Sequence, residues 1–239
     1  MSVDRTGGGG ARRQGLMVAL LPVAGLFFVF LLLLILIAIF VPENVEHYLA
    51  LKNIKTILKQ AVIVGIGALA MTMIIVSGGI DLSAGSLVAL AAVVCAHTVN
   101  WCDGNVFYLG FIPVPVLAAI AVGAIAGLLN GAVSARLGIA PFIVTLGMMM
   151  IARGLAEGFA DEEIVRTPDN VLKTLMMRNP EPGWLIFSYG VWINILLLAG
   201  MMVLMRYTVF GRYIYALGAN EQAARYSGIN VTVNRVLIF

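Results

Sequence analysis

The feature that most restricts this chain is where its charges are missing. Residues 14–42, 60–80, 82–102, 104–135 and 182–205 contain no Asp, Glu, Lys or Arg, and each run is at least 21 residues long. A helix rises about 1.5 Å per residue, so roughly 20 apolar residues cross a hydrocarbon core of about 30 Å. Five spans follow directly, and a sixth follows from 137–158 if it carries Arg153 and Glu157. A charged fraction of 11% beside 61% hydrophobic residues excludes an ordinary soluble domain, in which about 25% of residues are charged. The expected fold is all-α: a polytopic membrane helix bundle of about six complete spans plus the start of a seventh.

Residues 1–15, with Gly7 to Gly10 followed by Arg12 and Arg13, read as a disordered cytoplasmic tail. No Gly-Lys-Ser/Thr follows the glycines, so they are no phosphate loop. Residues 16–239 read as one transmembrane domain. Its first span, Leu16 to Val41, would be about 39 Å long and is too long for a cleavable signal. Pro42 to Lys59 reads as an interfacial helix with Leu49, Ile54, Ile57 and Leu58 among lysines. The following spans are expected at Gln60–Val76, Leu82–Val99, Val114–Ser134, Pro141–Gly158 and Trp184–Met205, with an acidic exposed loop over 159–183. Gly123, Gly127 and Gly131 recur every fourth residue and form a flat helical stripe that admits a neighbouring helix closely.

The net charge of +3 is scattered over span ends rather than gathered on one face, which indicates a lipid bilayer and no nucleic acid as partner. Arg12 and Arg13 place the N-terminus in the cytoplasm. Six spans then return the chain inside, with Arg136, Arg206, Arg212 and Arg225 on cytoplasmic connections and the acidic loop outside. The two cysteines, Cys95 and Cys102, and the two histidines, His47 and His97, have no metal-ligand spacing. No constellation of catalytic groups exists, so no catalytic or metal residue is expected.

Two polar segments interrupt the apolar chain. In Ser77-Gly78-Gly79-Ile80-Asp81-Leu82-Ser83-Ala84-Gly85-Ser86, the glycines allow positive φ. Asp81 or Ser83 could cap the next helix, or Asp81 could belong to a solute path. In 211–230, Asn220 can cap a short helix, Glu221 sits at its positive end, Ala223 and Ala224 favour it, and Gly228 can end it. A helix of about two turns does not stand alone in water, so this one must dock.

Both segments resemble the permease subunits of ribose- and xylose-type ABC sugar importers. Residues 141–148 and Arg153-Gly154 also resemble that family, and the similarity covers roughly 45–239. The resemblance implies a permease that translocates a monosaccharide such as ribose across the cytoplasmic membrane. The implied partners are a second permease copy, two ATPase subunits and a periplasmic or lipid-anchored sugar-binding protein. ATP and magnesium would be bound by the ATPase, since this chain has no Walker-type loop. The resemblance makes 211–230 the ATPase-coupling segment, with Gly211, Arg212, Gly218, Asn220, Glu221, Ala223, Ala224, Arg225 and Gly228 as its residues. It makes Ser77, Gly78, Gly79, Asp81, Ser83 and Gly85 the inter-span motif. Met71, Thr72, Met73, Thr145 and Met148 are expected along the substrate path. Such permeases have some ten spans, so this chain is expected to be incomplete at its C-terminus. An ion-coupled secondary transporter is the alternative, with only Asp81, Glu157 and Arg153 as intramembrane charges to serve it. Arg153 and Glu157 lie four apart and are expected to pair with each other.

Overall fold

The computed structural model describes residues 24–25, 27–40, 45–102, 108–109, 112–169, 171–177 and 186–239. The expected tail over 1–15, the beginning of the first span and residues 178–185 of the acidic loop lie outside the described residues. Two compact units divide between Ile57 and Leu58. The first contains the apolar helix α1 (Phe27–Phe40) and the short α2 (Val45–Leu49). A bend at Ala50 follows, where its carbonyl accepts from the amides of Asn53 and Ile54.

From that bend α3 runs unbroken over Leu51–Val76. The sequence reading placed an interfacial helix up to Lys59 and a separate span after it. The two are one helix, because nothing between Leu51 and Val64 breaks the ladder: there is no proline or glycine, and Asn53 and Thr56 donate to carbonyls behind them, of Tyr48 and Lys52. At about 39 Å it is long enough for Lys52, Lys55 and Lys59 to lie beyond the hydrocarbon while the remainder crosses it.

The other crossing helices are α4 (Ala84–Trp101), α5 (Val114–Leu137), α6 (Pro141–Phe159) and α7 (Tyr189–Tyr207). With α3 they make five helices long and apolar enough to cross a membrane among the described residues. The α4–α5 connection contains a two-residue antiparallel ribbon, β1 (Tyr108–Leu109) with β2 (Ile112–Pro113), which the all-α reading did not include. Gly138, at φ +66°, ends α5 in the left-handed region, and Pro141 opens α6 three residues later. The sixth expected span begins at Tyr189 rather than Trp184. After α7 come α8 (Val209–Ala219), α9 (Glu221–Tyr226) and α10 (Val231–Ile238). The sequence reading left α8 as part of a polar segment; its Gly211, Ile214 and Leu217 are buried on one face.

Polarity runs opposite to that of a soluble bundle. Ser83, Asn130, Ser134, Thr145, Ser188 and Asn234 are buried, whereas Ile63, Val64, Leu128, Met150 and Leu196 point outward and are well exposed. Small and polar side chains permit close helix contact and interhelical hydrogen bonds, and hydrocarbon accepts the large apolar ones. One apolar cluster joins Leu90 of α4 to Ala152 and Ala156 of α6. The other gathers the ends of α3 and α7 around α8, α9 and α10 through Ile74, Met205, Ile214, Leu217, Ala224, Val231 and Ile238.

Candidate functional site

The segment between α3 and α4 is built from both of its ends. Gly78 takes φ +85°, and the amides of Gly79 and Gly78 donate to the carbonyls of Ile74 (2.9 Å) and Ile75 (3.0 Å). This pair of bonds is a Schellman stop, so Gly78 is required by conformation. On the α4 side, Asp81 Oδ1 accepts from the amide of Ser83 (2.7 Å) and from its hydroxyl (2.6 Å). The carboxylate therefore folds the turn before the helix. Ser83 itself makes no side-chain cap, contrary to one of the two options in the sequence. Its hydroxyl instead accepts from Asn130 Nδ2 at 3.1 Å, joining α4 to α5.

Thr145 of α6 holds the middle of the segment. Its hydroxyl oxygen accepts from the amide of Leu82 (3.1 Å) and lies 3.3 Å from the carbonyl of Ile80. The residue is completely buried, and within this chain it latches α6 to the segment between α3 and α4. Thr72 donates to Ala68 within its own helix, and Met71 and Met73 pack against the apolar cluster of α8 to α10. Met148 is half-buried. Gly85 has open space where a side chain would stand, so nothing in the structure requires glycine there.

The second segment forms an elbow after α7. Thr208 turns the chain: its hydroxyl donates to Leu204 (2.6 Å) and accepts from the amide of Gly211 (3.1 Å). A Cβ on Gly211 would strike the carbonyl oxygens of Leu204 and Met205, and one on Gly218 would strike the carbonyl of Val76. Both glycines are places of close backbone approach. Asn220 Oδ1 accepts from the amide of Ala223 (3.0 Å) and opens α9. Gly228, at φ +83°, closes it with a second Schellman pair, Gly228 to Arg225 (3.1 Å) and Ile229 to Ala224 (3.1 Å).

The way α9 is seated corrects the expectation that its small residues face a partner. Ala224 is buried in this chain's own apolar cluster. Glu221 bridges to Arg225 (3.3 Å) and to Arg235 of α10 (2.5 Å). What remains outward is Gln222, Ala223, Arg225 and Tyr226, the last 89% exposed. Arg212 lies elsewhere, on the exposed side of α8 near Arg206. Helix α10 is capped by Asn230, whose Oδ1 accepts from Val233 (3.1 Å), and it crosses α5 at the glycine stripe. A Cβ on Gly131 would stand 2.7 Å from Val236 Cα, and one on Gly127 would meet the carbonyl of Phe239. Gly123, one turn away, faces open space.

Sequence reasoning missed Asn130 and Arg235. Asn130 had a signal, being the single amide within the expected span Val114–Ser134 and lying beside Gly127 and Gly131. Arg235 had none, because its partner lies 14 residues away across a turn. Asp81 is engaged with Ser83, and Arg153 pairs with Glu157 at 2.9 Å on an exposed helix face. No cluster of metal-ligating side chains occurs among the described residues.

This architecture has known relatives. Residues 53–239 match the family described as branched-chain amino acid transport system / permease component. The chain belongs to that permease family. It is 36% identical over 216 residues to the ribose import permease protein RbsC of Escherichia coli K12, covering 87% of this chain and 62% of the relative. The galactose/methyl galactoside import permease protein MglC of the same organism is 34% identical over 219 residues, covering 88% and 65%. The fructose import permease protein FrcC of Rhizobium meliloti is 36% identical over 187 residues, covering 76% and 49%. The chain thus spans about half to two thirds of the length of these curated relatives. No solved structure matches it significantly. As a member of this permease family with five apolar crossing helices, it is a multi-pass membrane protein.

Proposed function

We propose that this chain is the membrane-spanning permease subunit of an ABC importer that carries a monosaccharide such as ribose across the cytoplasmic membrane. The relatives' names supply the substrate class. The observation that carries the reading is α9. It is a rigid helix capped at both ends, fastened from behind by Ala224 and Glu221, and it offers Gln222, Ala223, Arg225 and Tyr226 outward. A surface of that kind suits a motor subunit that pushes on it. ATP and magnesium belong to two such ATPase subunits, sugar delivery to a periplasmic or lipid-anchored binding protein, and the other half of the path to a second permease copy. In this reading the N-terminus and the elbow face the cytoplasm.

Force applied to α9 has two routes inward. One runs from Glu221 through Arg235 to α10, whose backbone rests on Gly127 and Gly131 of α5. The other runs from Ala224 into the apolar cluster it shares with Leu217 of α8 and, through Gly218 of α8, to the carbonyl of Val76 at the end of α3. The first ends at α5, which touches the 77–86 segment through Asn130, and the second at α3, which leads into it, so a motion of the elbow would shift the packing around Asn130, Ser83 and Thr145. A rocking of crossing helices between two packed arrangements is the form such a change takes.

The test uses the transporter reconstituted with its cognate ATPase and binding protein. Ala223→Trp alters only the outward face of α9. Sugar uptake is expected to fall at least about tenfold with membrane insertion and thermal unfolding unchanged, as for a hot-spot contact worth ~1.4 kcal/mol or more. Wild-type uptake in Ala223→Trp would overturn the docking, and uptake driven by an ion gradient without ATPase would overturn the class.

A further inference from the structure

The outer side of the elbow, away from α9, holds a cavity of about 570 Å³ at the junction of α7 and α8, a size within the ~300–1,000 Å³ typical of ligand sites. Two rungs of α7 form its membrane side. Met202 lies one turn before Arg206, and Val203 one turn before Tyr207, so each apolar side chain leads to a polar one along the same face. The exposed side of α8 adds Arg212 and Tyr215, three residues apart. Arg206 lies 5.7 Å from the centroid of the Tyr207 ring, a cation–π contact that holds the guanidinium at the mouth. Among the described residues no carboxylate lines this cavity, and neither Arg206 nor Arg212 forms an ion pair.

The chemistry has a direction. α7 is a crossing helix that ends at Tyr207, and Thr208 turns the chain away there. Met202 and Val203 are more than half exposed and lie on the hydrocarbon side of that end. With α7 crossing the bilayer and ending here, the two guanidiniums and two phenols would stand at headgroup depth, where tyrosine is favoured. A free phosphate would satisfy the arginines and leave the apolar wall bare. A ligand with a phosphate and an attached acyl chain satisfies both, and arginine binds phosphate in a bidentate manner. Basic pockets beside crossing helices bind anionic lipid headgroups for this reason.

We propose that the α7–α8 junction is a binding site for an anionic phospholipid, with its phosphate on Arg206 and Arg212 and its acyl chain along Met202 and Val203. The site requires only that α7 cross the bilayer and does not depend on what is transported. It also gives Arg212 a lipid-facing role in place of the motor contact that the sequence suggested.

Native mass spectrometry of the purified full chain in detergent, titrated with phosphatidylglycerol or phosphatidylcholine, tests this. Retention of phosphatidylglycerol over phosphatidylcholine is expected. Each arginine removed should weaken binding by about fivefold, so Arg206→Gln with Arg212→Gln should weaken it about 25-fold, and the double lysine variant, which keeps the charge and loses the bidentate fork, should fall between the two. Both arginines are exposed, so the fold is not at risk; Arg136→Gln, an equally exposed arginine elsewhere, should change nothing. Equal retention of the two lipids, an unchanged double glutamine variant, or an equal loss with Arg136→Gln would overturn the proposal. So would displacement of the lipid by millimolar inorganic phosphate, which would identify an ion site without an acyl component.

Discussion

Replacing Gly131 by alanine isolates the contact that ties the elbow to the crossing helices. The new Cβ would stand 2.7 Å from Val236 Cα, 3.2 Å from the carbonyl oxygen of Val236 and 3.3 Å from that of Arg235. Carbon atoms reach optimal separation at ~3.5–4.0 Å, so the overlap approaches ~1 Å. All three atoms are backbone and cannot swing aside. Helix α10 must lift, and overpacking of this kind costs ~1–3 kcal/mol. Alanine also favours the helix over glycine by ~0.5–1 kcal/mol, which partly offsets the clash. Gly123→Ala provides the reference, since it carries the same helix gain at a position with open space. The difference between the two variants is then the clash alone. Hydrogen exchange should read it as ~5- to 150-fold faster exchange in α10 of Gly131→Ala than of Gly123→Ala, with the amide of Asn234 as a marker. Equal exchange in the two variants would refute the claim that α10 is seated on the glycine stripe.

Three further outcomes are expected. Asn220→Ala removes the acceptor for the amide of Ala223 and should cost ~1 kcal/mol; exchange over α9 should quicken about fivefold in hydrogen-exchange mass spectrometry, and unchanged protection would count against the cap. Thr145→Val leaves the amide of Leu82 without its acceptor, a loss of ~1–3 kcal/mol visible as a lowered melting temperature in detergent, whereas Thr145→Ser should melt near the wild type. A double-mutant cycle of Glu221→Gln and Arg235→Gln should return a coupling of ~0.2–1 kcal/mol, because both groups keep contact with solvent; a coupling of zero would remove the ion pair from the route between α9 and α10.

The crossing helices were legible because hydrocarbon sets a length and excludes charge, and both constraints are written in consecutive residues. Local stops were legible for the same reason: Gly78, Asn220 and Gly228 act on backbone groups no more than five positions away. The division of α3 at Lys59 failed because lysines mark depth and do not break a helix. The bonds of Thr145 were not legible, because a hydroxyl in an apolar run looks the same whether it faces a path or the carbonyl of Ile80 some 65 residues earlier. Ala224 was misread in a related way. Small side chains announce close packing without saying whether the neighbour is the same chain, and here Ala224 is buried in this chain's own apolar cluster.

This last point changes what a mutation at the elbow can mean. Glu221 and Ala224 match the coupling pattern of the importer family, yet both are committed within the chain, one to Arg235 and one to the apolar cluster. Substituting either would disturb the seating of α9 before any motor touched it, so a loss of transport would not distinguish a missing partner contact from a displaced helix. Ala223 and Tyr226 carry no such ambiguity, since their side chains face outward and take no part in that seating. If the helix transmits force, the outward residues determine whether the motor grips and the inward ones whether the grip reaches α5 and α3. Ala223→Trp should therefore abolish uptake with native protection of α10, and Gly131→Ala should weaken uptake with that protection lost. A single phenotype shared by both variants would mean that the two faces of α9 are not functionally separate.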